Sequence, residues 1–173
     1  MNPSHNRNAI FSAVLPAPFG TMGVRTEGGK LRELVFLPKG NSEKPPVDKL
    51  SERTARQLER YYADPDFVFD LPLMELGTDF QRRVWKAISA VPRGEVLTYG
   101  QIAKHLRTAA IAVGQACGAN WYPLIIPCHR VIGSGGGLGG FANHDDMTGF
   151  HLGVKRWLLE HEGAMDFPGL KMG

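Results

Sequence analysis

Residues 98–130, with the sequence TYGQIAKHLRTAAIAVGQACGANWYPLIIPCHR, decide the fold of this chain. Thr98 and Gln101 have the spacing of a capping box, which satisfies the first amides of a helix, and we expect that helix to run to about Leu106. After a brief break, residues 109–118 favour a second short helix. Two short helices joined by a tight turn are typical of a helix-turn-helix.

The second of these helices carries unusually small side chains. They belong to Ala109, Ala110, Ala112, Gly114, Ala116 and Gly118. Small side chains let a helix backbone come close to a neighbour, which is either another helix of the core or the surface of a ligand. The sequence of this helix leaves both alternatives open.

The helix-turn-helix is followed by a cysteine, Cys128, which stands between a proline and a histidine. Proline fixes φ and removes an amide donor, so the backbone that enters Cys128 is stiff and ends any regular ladder there. A thiol at the mouth of a buried strand, with an imidazole on the next residue, is arranged for nucleophilic chemistry. A lone cysteine is more often a small buried hydrophobe, but the sequence on either side of Cys128 favours a reactive thiol.

Three further features surround this stretch. Thr78 and Gln81 form another capping box and predict a helix before it. The glycine-rich residues 133–142 indicate either a flexible linker or the wall of a pocket. Residues 154–162 predict a closing helix that ends at Gly163.

The first half of the chain reads as a small unit of strands and one helix. Residues 9–38 predict an antiparallel meander with a turn at 16–20, and residues 39–48 form a loop. A helix is expected over 48–63 and a short final strand over 67–73. No chemical constellation is visible in this half.

We therefore expect an α+β fold with two domains. Residues 1–75 form a small antiparallel-sheet α/β domain, and residues 76–165 form a winged-helix-like helix-turn-helix domain that carries the PCHR active site. Residues 166–173 form a tail.

The composition excludes several classes of protein. The net charge of +3 and the pI of about 9.0 permit a nucleic-acid partner. No apolar run approaches the roughly 20 residues of a membrane helix, and no secretion signal precedes the first strand, so a cytoplasmic location with Cys117 and Cys128 as free thiols is expected. The six histidines are scattered, and no metal site is expected.

Five segments between about Gly77 and Gly163 resemble the O6-alkylguanine-DNA alkyltransferases, also called methylated-DNA–protein-cysteine methyltransferases. They are GTDFQRRVW, GEVLTYGQIA, AVGQACGAN, IIPCHRVIG and KRWLLEHEG. The first half is similar to the family's N-terminal domain only in its strand-rich pattern and length. The resemblance implies DNA repair in which an alkyl group passes irreversibly from O6 of guanine in double-stranded DNA to the protein's own cysteine, after the nucleotide has been flipped out. It implies no cofactor and a single turnover, and it leaves the oligomeric state open.

The resemblance assigns the chemistry to Cys128 as acceptor, His129 as base and Glu162 as the orienting carboxylate, with a water between base and thiol. An alkyl ether is a poor electrophile, so the nucleophile should be a thiolate, which a free thiol with a pKa of about 8.5 supplies poorly at neutral pH. Glu162 lies at the end of a helix, where a carboxylate opposes the macrodipole and needs a partner. Glu160 is the competing carboxylate.

The resemblance also implies how the substrate is held. Tyr99 crowds the 3′ phosphate and hydrogen-bonds the flipped base, and Asn120 ties the helix-turn-helix to the active-site loop. The second helix lies in the minor groove, as in other minor-groove proteins. The expected DNA- and base-binding residues are Ala109, Ala110, Ile111, Ala112, Gly114, Arg130, Val131, Gly139, Phe141 and Ala142.

Three departures from the family's pattern keep rival functions open. Ile111 stands where relatives commonly have an arginine that fills the gap left by the flipped base, and the turn before it is shorter. The segment 143–154 is longer than usual and adds Asp145 and Asp146. These departures favour a weakly active or non-enzymatic lesion-binding protein, whereas Cys128 argues against one. An ordinary cysteine hydrolase is disfavoured, because its base does not adjoin the nucleophile in sequence.

Overall fold

The computed structural model describes residues 9–133 and 149–164 and confirms the α+β fold. The chain divides into two compact units, Met1–Glu75 and Leu76–Gly173. Within the described ranges the strands are β1 (Ala13–Ala17), β2 (Gly20–Glu27), β3 (Lys30–Leu37), β4 (Leu97–Thr98) and β5 (Val131–Ile132). The helices there are α1 (Lys49–Ala63), α2 (Asp79–Ser89), α3 (Tyr99–Leu106), α4 (Ala110–Gly118) and α5 (Phe150–His161).

The first unit is an antiparallel sheet in the order β1-β2-β3, covered by α1. The helix begins with a capping box in which Asp48 accepts from the amide of Ser51 and the Ser51 side chain accepts in return. Its apolar face buries Leu58 and Tyr61. Burial of this face, rather than helix propensity alone, stabilises the unit.

Two expectations for this unit are wrong. Pro16 belongs to β1 and not to a turn, because β1 is an edge strand, where a missing amide donor costs little. Residues 67–73 do not form a strand, since the side chain of Gln57 occupies both the amide and the carbonyl of Asp70. Only Leu73 makes a single bridge, to Leu31.

The second unit begins with α2, whose capping box joins Thr78 and Gln81 as expected. Trp85 on the buried face of α2 donates its indole N–H to the carbonyl of Ala116, at 2.8 Å, and so ties α2 to α4. Gly77 precedes the helix with φ +92°, and a Cβ at this position would lie 2.6 Å from the Trp85 ring. Glycine is therefore required for the chain to enter α2 beside the indole.

The helix-turn-helix consists of α3 and α4. Thr98 and Gln101 cap α3 as expected, and Arg107 ends it in the left-handed region at φ 58°. The second helix begins at Ala110, one residue later than expected, because Ala109 has extended backbone and no side chain to cap the helix. Its inner face is held in the core by Val113 and its neighbours.

A short parallel pairing of β4 with β5 positions the candidate site. Leu97 pairs with Val131, and Thr98 pairs with Ile132. Since Tyr99 follows β4 directly and the 3-10 turn Cys128–Arg130 precedes β5, the pairing brings the start of α3 next to the PCHR segment.

The closing helix α5 is longer than residues 154–162. It begins at Phe150, after Gly149 in the left-handed region at φ 74°. Gly153 lowers helix propensity in the sequence, but Leu152 packs against a buried cluster with Ile132, so tertiary packing extends the helix by a turn. No helix of the described ranges is long and apolar enough to cross a membrane.

Candidate active site

Cys128 is buried at the start of the 3-10 turn and is held by Asn120. The Asn120 side-chain amide donates to the Cys128 Sγ at 3.4 Å and to the carbonyl of Ile126 at 2.9 Å. Its oxygen accepts from the amide of Tyr122 at 2.9 Å. One side chain thus fixes the loop after α4 and the sulfur together, in the place that the sequence predicted for Asn120.

His129 and Glu162 form a buried pair beside this thiol. Nε2 of His129 lies 2.9 Å from Oε2 of Glu162, and the two side chains are 1% and 0% exposed. Burial lowers the pKa of His129, while the hydrogen bond and the charge of Glu162 oppose that shift. Glu160 is exposed to solvent, so the geometry pairs His129 with Glu162 and not with the competing carboxylate.

The surroundings of Cys128 shift the pKa of its thiol. A hydrogen bond with Cys117 and burial raise the pKa of Cys128 well above its usual value, while Asn120 and Lys155 act in the other direction. Both cysteines are free. The resting Cys128 is therefore a neutral thiol at neutral pH, and its proton must leave during the reaction.

The start of α4 presents an open surface. Ala109, Ala110 and Ile111 are exposed, and the Ile111 side chain is 73% accessible. Ala112 and Gly114 are half-buried. Exposed apolar side chains at one end of a short helix favour contact with a partner surface over close packing in the core of the protein.

Two sequence matches show the family to which this chain belongs. The family model described as "6-O-methylguanine DNA methyltransferase, DNA binding domain" matches residues 79–164. A methylated-DNA–protein-cysteine methyltransferase of Methanosarcina acetivorans is 36% identical over 163 residues, which cover 90% of this chain and 99% of the relative. This chain belongs to the methylated-DNA–protein-cysteine methyltransferase family. The match extends well into the first unit, which the sequence alone likened to the family only in pattern.

Solved structures of methyltransferases have the same fold. Mycobacterium tuberculosis OGT in complex with DNA superposes with a TM-score of 0.72 and 37% identity, over 87% of this chain and 91% of that one. The O6-methylguanine-DNA methyltransferase of Pyrococcus kodakaraensis has a TM-score of 0.65 and 25% identity, over 87% and 96% of the two chains.

Arg130 of this methyltransferase makes hydrogen bonds inside the protein. The resemblance implies that it contacts DNA or the base; in the structure its Nε and one terminal nitrogen donate to the two oxygens of Glu162, at 2.9 and 3.1 Å. The other terminal nitrogen donates to the carbonyl of Val91 at 2.7 Å. The guanidinium is thus engaged inside the protein.

The other expected base-contacting residues divide into two groups. Val131 is fully buried, and its carbonyl accepts a hydrogen bond from Lys155. Gly139, Phe141 and Ala142 lie outside the described residues, as do Asp145 and Asp146.

Tyr99 occupies the first position of α3 and packs against the cluster that contains Cys128. Burial raises the pKa of Tyr99 well above its usual value, and the two nearby cysteines raise it further. The side chain is therefore a neutral phenol that can donate a hydrogen bond.

Lys155 is the residue that sequence reasoning missed. It is fully buried on α5, and its Nζ donates to the carbonyl of Val131 at 2.7 Å and lies 5.7 Å from the centre of the Tyr99 ring. Burial lowers the pKa of Lys155 to about 8, although the cysteines raise it in part. Its spacing from Leu158 and Leu159 places it on the apolar face of the helix, and this spacing is the feature of the sequence that indicates a buried lysine.

Proposed function

We propose that this methyltransferase takes the alkyl group of O6-alkylguanine in DNA onto the sulfur of Cys128, once per molecule. The observation that carries the proposal is a buried cysteine held by Asn120 and followed in sequence by a histidine paired with a buried carboxylate, Glu162. This is the arrangement of nucleophile, base and orienting group that covalent catalysis requires.

The reaction is a single displacement. The sulfur of Cys128 attacks the alkyl carbon, the bond from that carbon to O6 breaks, and its electron pair stays with the guanine. The thiol proton passes to His129, through a water as in the family, and the Tyr99 hydroxyl donates to the leaving base. Because the resting thiol is neutral, His129 acts as a general base and not merely as the partner of a preformed thiolate.

The DNA partner fits the exposed start of α4. A helix with small side chains can enter the minor groove of a duplex and press on the base steps. The lesion is then flipped out, since its reacting carbon is out of reach inside the stack. Ile111 is exposed on this helix and stands where relatives commonly have the arginine that fills the gap left by the flipped base.

Two other functions fit the site less well. A protein that only binds lesions has no use for an acceptor thiol, and the relatives compared above are named as methyltransferases. A cysteine hydrolase needs an oxyanion hole, for which the described residues offer no motif. Both are therefore less well supported. The free thiols are in keeping with a cytoplasmic protein, which is part of the proposal.

The test is intact-mass and peptide-mass spectrometry after incubation with a duplex that contains O6-methylguanine. A gain of one methylene unit on Cys128 is the expected result. Tight binding without an adduct would instead identify a lesion-binding protein. A result with neither binding nor an adduct would favour the cysteine hydrolase.

A further inference from the structure

Arg130 connects three segments around the candidate base. The chain after α2 contributes the carbonyl of Val91, the 3-10 turn contributes Arg130 itself, and the end of α5 contributes Glu162. Three of the nitrogen–hydrogen groups of the guanidinium are engaged in this way, and its side chain is 14% exposed. A residue so placed has little capacity left for a phosphate.

The carboxylate of Glu162 depends on this contact. Its side chain is 0% exposed, and a buried carboxylate without a charge partner takes up a proton rather than remain ionised. The forked contact from Arg130 supplies a permanent positive charge and two hydrogen bonds in the geometry that a carboxylate prefers. His129 alone could not do so, because burial keeps its imidazole neutral.

The charge of Glu162 in turn decides which nitrogen of His129 carries the proton. An ionised carboxylate only accepts hydrogen bonds, so Nε2 of His129 must be the donor. Nδ1 then has a free lone pair, and it has no hydrogen-bond partner among the described residues. A protonated Glu162 could donate to Nε2 and would place the proton on Nδ1, which would then be unable to act as a base.

We propose that Arg130 is a positioning residue, which keeps Glu162 ionised and thereby fixes His129 as the tautomer with Nε2 protonated and Nδ1 available as base. Only the last step, the use of Nδ1 to take the thiol proton, rests on the proposed function. The charged groups that act on His129 are Glu162, Arg130 and Lys155. Of these, Arg130 directly contacts the carboxylate.

The first experiment does not depend on alkyl-transfer activity. The ¹⁵N shifts of the His129 ring, measured between pH 6 and 9 in the wild-type protein, report the tautomer directly. Protonated Nε2 and unprotonated Nδ1 are expected. A ring with the proton on Nδ1 would overturn the proposal. In R130Q the expected result is a mixture of tautomers or a shifted imidazole titration.

R93Q is the matched control. Arg93 donates to the main-chain carbonyl of Glu162 at 2.9 Å. Its loss should lower the melting temperature and leave the His129 tautomer unchanged. An equal change of tautomer in R93Q and R130Q would show that Arg130 acts only by holding the end of α5.

Kinetics distinguish a positioning role from DNA contact. R130Q should slow transfer from duplex and from free O6-alkylguanine base alike, by about tenfold or more, and R130K should recover part of the rate because it keeps the charge. In an E162Q background, R130Q should slow transfer little further, since the effects of substituting two interacting residues are not additive.

A DNA contact would instead leave the free-base rate unchanged and lower the salt dependence of duplex binding by about one unit. Wild-type protein with the expected tautomer but no alkyl transfer would contradict the proposed function alone.

Discussion

His129 and Glu162 lie 33 residues apart in sequence, yet Nε2 of the first is 2.9 Å from Oε2 of the second, with both side chains buried. Glu162 is the residue that ends α5, so we expect any change that shifts the last turn of this helix to alter the chemistry at Cys128. Since neither group reaches solvent, the protein alone sets their protonation states.

C128A should abolish transfer and keep measurable affinity for duplex that contains O6-methylguanine. Binding depends on α4 and its surroundings, whereas the bond to the alkyl carbon needs the sulfur. Adduct formation by mass spectrometry and duplex binding by fluorescence anisotropy measure the two effects.

C117A is the control for the thiol. Cys117 raises the pKa of Cys128, so its removal should keep transfer and shift the pH dependence of Cys128 alkylation to lower pH. Transfer that persists in C128A and disappears in C117A would make Cys117 the acceptor.

E162Q should slow transfer by about tenfold or more, because His129 loses the charged partner that makes it an effective base. A glutamine also leaves Arg130 without its counter-charge, which should lower the free energy of unfolding by about 3 kcal/mol. Single-turnover rates on the free base, together with urea unfolding, separate the two effects.

E160Q should change neither quantity, since Glu160 is exposed on the same helix. If E160Q reproduced the kinetic loss while E162Q did not, the carboxylate would have been assigned wrongly.

The local parts of this site could be predicted from sequence, and the long-range parts could not. The capping boxes of α2 and α3 involve residues three apart, so their pattern is visible in the sequence. The environment of Cys128 depends on Cys117, which lies on α4, and on Lys155 from α5. Packing between helices and strands decides which of several polar side chains are buried. A single sequence indicates this packing only weakly.

The same reason explains why the internal contacts of Arg130 could not be predicted from the sequence. The resemblance to the family placed Arg130 among the DNA- and base-binding residues. The fold brings the buried carboxylate of Glu162 to it from 32 residues away, and the two side chains form a hydrogen-bonded ion pair inside the protein.

K155M should slow transfer most strongly below pH 8. The Lys155 charge lowers the pKa of the Cys128 thiol, and the lysine carries that charge only below its own pKa of about 8. Wild type should therefore exceed the variant most at pH 6 to 7, and the difference should shrink as the pH rises through 8. Rates on the free base across this range measure it.

K30M, which removes an exposed lysine of the first unit, is the control for overall charge. A ratio of wild type to K155M that stayed constant with pH would show that Lys155 acts only through packing.

I111R should increase the rate on duplex and scarcely change the rate on the free base. Ile111 is exposed at the start of α4 and offers the DNA only apolar contact, whereas an arginine can fill the gap left by the flipped nucleotide and hydrogen-bond the orphaned cytosine. Extruding a base costs a few kcal/mol, so recovering ~1.4 kcal/mol would be worth about tenfold in rate. Paired single-turnover kinetics on both substrates measure the effect.

Q115R is the matched control for I111R, because it adds the same charge to an exposed position one turn further along α4. It should strengthen duplex binding at low salt without increasing the transfer rate of the bound complex, since charge attracts phosphate but does not replace a base in the stack. Equal rate gains from both variants would mean that I111R acts through charge alone. A gain for I111R on the free base would place its effect at the thiol, and a loss on duplex would mean that Ile111 already serves as the wedge for flipping.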